Sequence, residues 1–361
     1  MNEALDRALA IVAPASSDDD RTALSKAKVR ALMTGYDAKW SGSGYTATAI
    51  EQEFNLPIIN PNTGKPSQNF VQAGKLDVRV LSPSFELLNM DHKTSSMDIS
   101  DPASAYWRQL VVDSQVSMYA LACWQQEEKI DGSIWDVIRK PTIRPANIAK
   151  AIKKEPDRVG TMGELDECGT YYGFDVTEDE YRWAQNAGRE NDSLYEKRLT
   201  RDCLDRPSHY YQRRTIPRLD DDMLQWAEEL WIIAKDIRDT QLRADKLEKR
   251  ETAWFRNSGA CMNYGTPCEY LGLCSGYEQS DSSQWTVRDK PHHELSVESK
   301  EDRWSVLSHS SIRCYQTCRR KAYYKYELRL EKADDEERDA LFFGSMTHDA
   351  LEAWWSFYLE A

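Results

Sequence analysis

The chain has 361 residues, enough for one large domain or two modest ones, and 40% of them are hydrophobic, which can fill a core despite a mean hydropathy of -0.71. No apolar run approaches the roughly 20 residues of a membrane span, and Met1 to Asp20 lacks the basic-then-apolar layout of a signal peptide. The net charge of -13 argues against a protein held on nucleic acid by global charge. Local basic clusters remain available for that role: Arg139, Lys140 and Arg144; Lys150, Lys153 and Lys154; Arg213, Arg214 and Arg218; and Arg319, Arg320, Lys321 and Lys325.

Residues 22–39 read as a helix, with Leu24, Val29, Leu32 and Met33 at apolar positions. From Thr46 to about Thr94 the pattern is that of strands. Gly74 to Val80 alternates, Ser82-Pro83-Ser84 supplies a turn, and Phe85 to Met90 leads into Asp91. Asp101-Pro102 starts a helix expected to run to about Gln126. Ile134 to Ile138 is a further strand, followed by a basic, proline-containing loop. The polar stretch 155–200 carries no clear pattern. Residues 219–249 form a long amphipathic helix with Met223, Leu224, Trp226, Leu230, Ile233 and Ile237 on its apolar side. Residues 256–277 are rich in Gly, Pro and Cys, 278–303 read as a linker, and helices at about 308–326 and 338–359 close the chain. The expected class is α/β, a central mixed sheet flanked by helices.

Asp91 and Lys93 are two apart on a strand, so their side chains share a face, and Asp77 ends the neighbouring strand. Two carboxylates there can hold a divalent cation through hard oxygens, Mg²⁺ or Mn²⁺. A lysine beside them can orient a water and steady charge developing on a phosphate. The following helix carries Gln115 and Tyr119 one turn apart on one face.

Together these residues resemble the PD-(D/E)xK nucleases, in their RecB-like branch, which carry Gly-x-x-Asp, then (Asp/Glu)-x-Lys, then a helix with Gln-x-x-x-Tyr. The resemblance implies a restriction-endonuclease-like core, with Asp77 and Asp91 as metal ligands, Lys93 as the catalytic lysine and Gln115 and Tyr119 on the DNA side. Glu51 falls where many members have an upstream acidic residue, a possible accessory position.

Cys261, Cys268 and Cys274 are separated by six and five residues with Gly265, Pro267 and Gly272 between them, a pattern that draws sulfurs round a metal or cluster. Cys123, Cys168 and Cys203 read as ordinary thiols, and His292 and His293 are candidate fourth ligands for Zn²⁺. The resemblance points elsewhere. Iron–sulfur members of the branch, the AddB-like nuclease domains, take one cysteine from an N-terminal helix, and the stretch Leu307 to Tyr324 is similar to that element with Cys318 in the ligand place and Cys314 as packing. Gly344-Ser345-Met346-Thr347-His348 resembles the next motif, Gly-x-x-x-His, whose histidine helps bind the metal. The implied cofactors are Mg²⁺ or Mn²⁺ and a [4Fe-4S] cluster.

Those two elements stand last here and first in the family. We therefore expect a circularly permuted order: a nuclease core over 1–277 with its cysteine segment, a linker over 278–303, and 304–361 completing the same domain, with the 338–359 helix leading into residues 1–10. The alternative is a tandem fragment whose sites a second molecule would complete. The expected function is a metal-dependent DNA nuclease, an exonuclease acting on single strands or duplex ends in recombination, repair or phage DNA processing, cytoplasmic in a bacterial or phage-infected cell. The competing expectation is a catalytically silent nucleic-acid-binding or scaffolding module with structural zinc.

Overall fold

The computed structural model describes residues 3–15, 17–128, 130–148, 170–263, 265–292, 295–296, 304–333 and 339–360. Cys168, His293 and the cluster Lys150, Lys153 and Lys154 lie outside the described residues, as do Met1 and Ala361.

Helix α1 (Glu3–Ile11) is followed by α2 (Asp20–Trp40), whose first turn is capped by Asp19 accepting from the Thr22 amide at 2.7 Å. Strands β1 (Thr46–Ile59) and β2 (Pro66–Leu81) form a long antiparallel hairpin, and β3 (Leu87–Ser95) returns beside β2 from the turn at Ser82. Strand β4 (Gly132–Arg139) lies parallel to β3, and β5 (Tyr211–Ile216) is antiparallel to β4. The order β1-β2-β3-β4-β5 is a mixed sheet.

Two apolar cores cover it. One joins Val78, Val80, Met90, Ile134 and Ile138 to α1, α2, α6 (Asp192–Asp205) and α9 (Asp339–Glu360). The other joins Phe54, Ile58 and Leu76 to α4 (Ser114–Gln125) and α7 (Asp220–Ala244). Within α7, Trp226, Leu230, Ile237 and Ala244 bury along one stripe, and three aspartates in the first turn suit the helix dipole.

The expected helix from Pro102 to Gln126 is two helices. After α3 (Ala105–Gln109) a 3₁₀ turn over Leu110–Val112 ends at Asp113, whose extended backbone breaks the run and whose carboxylate caps α4 through the Gln115 amide at 2.8 Å. A side chain that caps so well starts a helix rather than continuing one. In the uncharacterised stretch, α5 (Glu178–Ala187) starts on a Thr177–Glu180 capping box and precedes α6. The segment read as a linker is partly built into the fold: β6 (Trp285–Val287) pairs with β8 (Leu330–Lys332), and Trp285 and His292 are buried.

Strand β7 (Val306–Leu307) pairs parallel with Val71 and Gln72 of β2, on the edge that β3 takes further along, and leads into α8 (His309–Thr317). The helix expected over 308–326 is interrupted at Cys318, where the backbone is extended. The last helix, α9, does not run on into α1. The two lie side by side, with Ala4 and Ala8 in one cluster with Ala350, Leu351 and Trp354 and with Arg7 over the Phe357 ring. Burying two apolar stripes against each other is what lateral packing achieves and end-to-end continuation does not.

Candidate active site

Asp77 and Asp91 stand where β2 and β3 part, one step beyond their last pair, Val78–Met90. Asp77 Oδ2 accepts from the His92 amide at 2.7 Å, so a side chain takes over where the ladder stops. Gly74 of the Gly-x-x-Asp run is a packing necessity: a Cβ there would lie 2.7 Å from Phe54 Cζ and 3.3 Å from Tyr119 Cε1.

Lys93 Nζ sits 2.5 Å from Asp91 Oδ2 and 5.2 Å over the Trp135 ring. Gln115 donates from Nε2 to Asp91 Oδ1 at 3.3 Å and to Tyr119 Oη at 2.9 Å, tying α4 to the carboxylate. His348 reaches the same place from α9, its Nδ1 3.8 Å from Asp77 Oδ2. Glu51 lies in β1 between the pairs Ile50–Val78 and Gln52–Leu76, opposite Asp77, and is ion-paired with Lys75. Its φ of +51° is a left-handed conformation that a non-glycine residue adopts only under constraint from its surroundings. Glu51, Asp77, Asp91, Lys93, Gln115, Tyr119 and His348 thus converge within a single chain.

Burial pushes the Asp91 carboxyl up; Lys93 pulls it back and Asp77 adds to the rise. Burial would lower the Lys93 ammonium, but Asp91 and Asp77 outweigh it and hold it above the usual lysine range. Burial, with His92 and Lys93 nearby, lowers the His348 imidazole and favours its neutral, metal-ligating form.

No group of three or more His, Cys, Asp or Glu side chains among the described residues is arranged to hold a metal ion as it stands. The donors present nevertheless fit a hard divalent cation. His348 Nδ1 and Asp77 Oδ2 lie 3.8 Å apart, and Asp91, whose Oδ2 takes the Lys93 ammonium at 2.5 Å, adds a second carboxylate of the hard-oxygen type such a cation prefers.

Several residues of this region carried no signal in the sequence. His92, between Asp91 and Lys93, is buried on the other face, its ring stacked on Trp355. In register it lies beside Asp136, which lies beside Arg213: one residue from each of three strands, at 3.1 and 3.2 Å. Tyr36 donates to Asp136 and accepts from Arg213. Burial works against the Asp136 charge, but Arg213, His92 and Tyr36 overcome it and hold the carboxyl down to about 2. His309, at the start of α8, is also drawn in. Burial lowers its imidazole, and the charges of Asp113, Lys93, Arg313 and Asp91 all act on it. Glu352, one turn beyond His348, acts electrostatically on Glu51 and Lys75.

The basic clusters fare differently from expectation. Arg213 is buried in the Asp136 network, Arg218 is bonded to backbone carbonyls, Arg319 pairs with Asp236 at 2.6 Å, and Lys321 pairs with Glu269 at 2.9 Å. The buried Asp136, backbone carbonyls and the partly exposed carboxylates of Asp236 and Glu269 claim these four first.

Cys261, Cys268, Cys274 and Cys318 line one small cavity beside Arg256 and Arg320. Burial raises the Cys274 thiol, with Cys261 and Cys318 near enough to add to the rise. Asn257 donates its amide to Cys318 Sγ at 3.5 Å, and Cys268 donates to the Cys261 carbonyl at 2.8 Å. Cys314 is a separate, half-buried thiol, pushed up to about 11 by burial, while Cys123 and Cys203 are buried. His292 is turned away, its ring 3.1 Å from the Val306 carbonyl.

A mixed sheet between two helical layers, with carboxylates, a lysine and a histidine where its middle strands part, is a restriction-endonuclease-like arrangement. The family model of the PD-(D/E)XK nuclease superfamily matches residues 306–360, and the match supports placing the chain in that superfamily, whose members are typically nucleases that act on nucleic acid with divalent metals such as Mg²⁺. The matched segment carries Cys318 and His348, while Asp77, Asp91 and Lys93 lie outside it. No curated protein and no solved structure matches the chain. Among the described residues no helix is long and apolar enough to cross a membrane.

Proposed function

We propose that the chain is a metal-dependent DNA nuclease of the RecB-like branch, an exonuclease hydrolysing phosphodiester bonds of single strands or duplex ends. Recombination, repair or phage DNA processing is the setting this chemistry suits. The observation that carries the reading is the convergence of Asp77, Asp91, Lys93 and His348, drawn from two adjoining strands and a helix distant in sequence.

In this reading Asp77, Asp91 and His348 hold Mg²⁺ or Mn²⁺, which when bound stabilises negative charge developing on the phosphate. Lys93 orients the attacking water, and its half-buried, raised ammonium stays protonated to face the phosphate. Gln115 holds Asp91 in its rotamer and, with Tyr119, faces the strand; Glu51 is accessory. Cys261, Cys268, Cys274 and Cys318 hold a [4Fe-4S] cluster that pins α8 to the cysteine segment; their shared cavity supports this over a site using His292. The order of elements is permuted relative to the family, and the packing of α9 on α1 and of β7 on β2 supports one domain rather than a tandem fragment.

The test is a gel assay of end-labelled single- and double-stranded DNA with Mg²⁺ or Mn²⁺, using Asp91→Ala as control. Cleavage by the wild type alone is expected. Cleavage by neither protein, or equally by both, refutes the assignment.

A further inference from the structure

His92 occupies a place where packing alone calls for an apolar ring. It is 3% exposed, between Asp91 and Lys93 in β3. Met90, two residues back on the same face, lies in the apolar core with Trp355 of α9, and the Trp355 indole stacks on the His92 ring at 6.3 Å and 28°. A phenylalanine would fill this niche without burying two ring nitrogens. Nδ1 is met by Asp136 Oδ2 at 3.1 Å, while Nε2 has no hydrogen-bond partner among the described residues. A buried polar group retained at that cost points to a role for the nitrogens rather than for the volume.

His92 adjoins each of the three groups assigned to the metal. Asp91 precedes it in the chain. Its amide donates to Asp77 Oδ2 at 2.7 Å. Its ring stands edge-on to the His348 ring, with centroids 6.4 Å apart and planes at 75°. His348 and Trp355 are seven residues apart on α9, two helical turns, so they share the face that meets His92. The helix comes close to the strand here: a Cβ on Gly344, one turn before His348, would lie 3.8 Å from Thr94 Oγ1.

The ring is anchored from behind. Asp136, which faces its Nδ1, is itself fixed by Arg213 Nε at 3.2 Å and by the Tyr36 hydroxyl. Arg213 Nη2 donates to Tyr36 Oη at 2.7 Å, and its guanidinium lies 5.4 Å over the Trp355 ring. Tyr36 meets Trp354 edge-on at 5.1 Å, and Trp354 Nε1 donates to Asp37 Oδ1 at 2.9 Å. One buried network thus grips the joint between β3 and α9 from both elements.

We propose that His92, held by Asp136, is a positioning residue of the metal site: its amide and its ring together set where Asp77 and His348 stand relative to Asp91. This inference rests on the metal-binding part of the reading above. Ligands that come from separate elements must be held to within about 0.5 Å, and side chains whose own rotamers are locked achieve that. His92 joins the two strand carboxylates to the helix histidine, and Asp136 locks His92. Residues standing behind the ligands in this way typically contribute about ten- to a hundredfold to metal affinity.

The experiment titrates the full chain with Mn²⁺, reading the free ion by electron paramagnetic resonance well below the melting temperature. Asp91→Ala defines the binding that belongs to this site. His92→Phe keeps the ring and its stacking on Trp355 but loses the nitrogen facing Asp136, and is expected to weaken Mn²⁺ binding at least about tenfold. His92→Asn, whose amide nitrogen reaches the place of Nδ1, should recover part of that loss. Asp136→Leu/Arg213→Met removes both buried charges, which restores stability but not the anchor. It should unfold near the wild type and still bind Mn²⁺ at least about tenfold more weakly, whereas a merely structural role predicts that affinity returns with stability. Wild-type affinity in His92→Phe or in the double variant, or a His92→Asn no tighter than His92→Phe, overturns the inference and leaves the metal site standing. A wild type without Asp91-dependent Mn²⁺ binding removes the metal site and the inference with it.

Discussion

Asp136→Asn tests the network behind the site. Asp136 is 1% exposed and faces Arg213 at 3.2 Å, with the Arg213 side chain only 6% exposed. The substitution keeps the volume and removes the charge, leaving a buried guanidinium without a counter-ion. Breaking such a pair from one side destabilises by about 3–5 kcal/mol, a large part of the roughly 5–15 kcal/mol that holds a domain together. Urea unfolding followed by tryptophan fluorescence should show that fall. Removing both charges with Asp136→Leu/Arg213→Met should recover much of it, because no unpaired charge remains. The sign of the acid response follows from the same group. Its carboxyl is held at about 2 against an ordinary 3.8, so its contribution is complete above about pH 4 and is lost as pH falls towards 2. That loss is about 2 kcal/mol, and it should be missing from Asp136→Asn. A variant within about 1 kcal/mol of wild type, or with the same acid slope, would refute the argument.

Lys93→Ala should abolish cleavage in the gel assay while DNA retention in a filter-binding assay falls only slightly, one lysine being one phosphate contact among several. Gly74→Ala should lower thermal stability by about 1–3 kcal/mol, since its Cβ would sit 2.7 Å from Phe54 Cζ, and calorimetry would reveal a tolerant site by an unchanged melting temperature. Cys268→Ser and Cys318→Ser should each abolish bound iron and broad visible absorption in protein purified without oxygen; iron retained in both variants would exclude the four-cysteine assignment.

Local patterning was enough for the central part of the site. Alternation from Gly74 to Val80, the turn at Ser82-Pro83-Ser84 and the two-residue step from Asp91 to Lys93 place a hairpin and a shared face, because strand geometry is set by the chain's own period of two. The same holds for Gln115 and Tyr119 on one turn of α4. Capping at Asp113 is also local, yet an aspartate set among helix-compatible residues does not by its sequence alone mark a helix start. What the sequence alone determined is therefore which side chains share a face within one element. The tertiary structure decided which elements meet. Asp136 and Arg213 became partners only through the antiparallel register of β4 and β5, and His92 joined them only because β3 runs parallel to β4. The same pairing turned Arg213 from a surface cation into a buried one. His348 reached Asp77 because burial of the Trp354 and Trp355 side of α9 against α1 and α2 fixes that helix over the sheet. Such long-range placements follow from burying apolar faces against one another, a condition on the whole chain that no short window of residues contains.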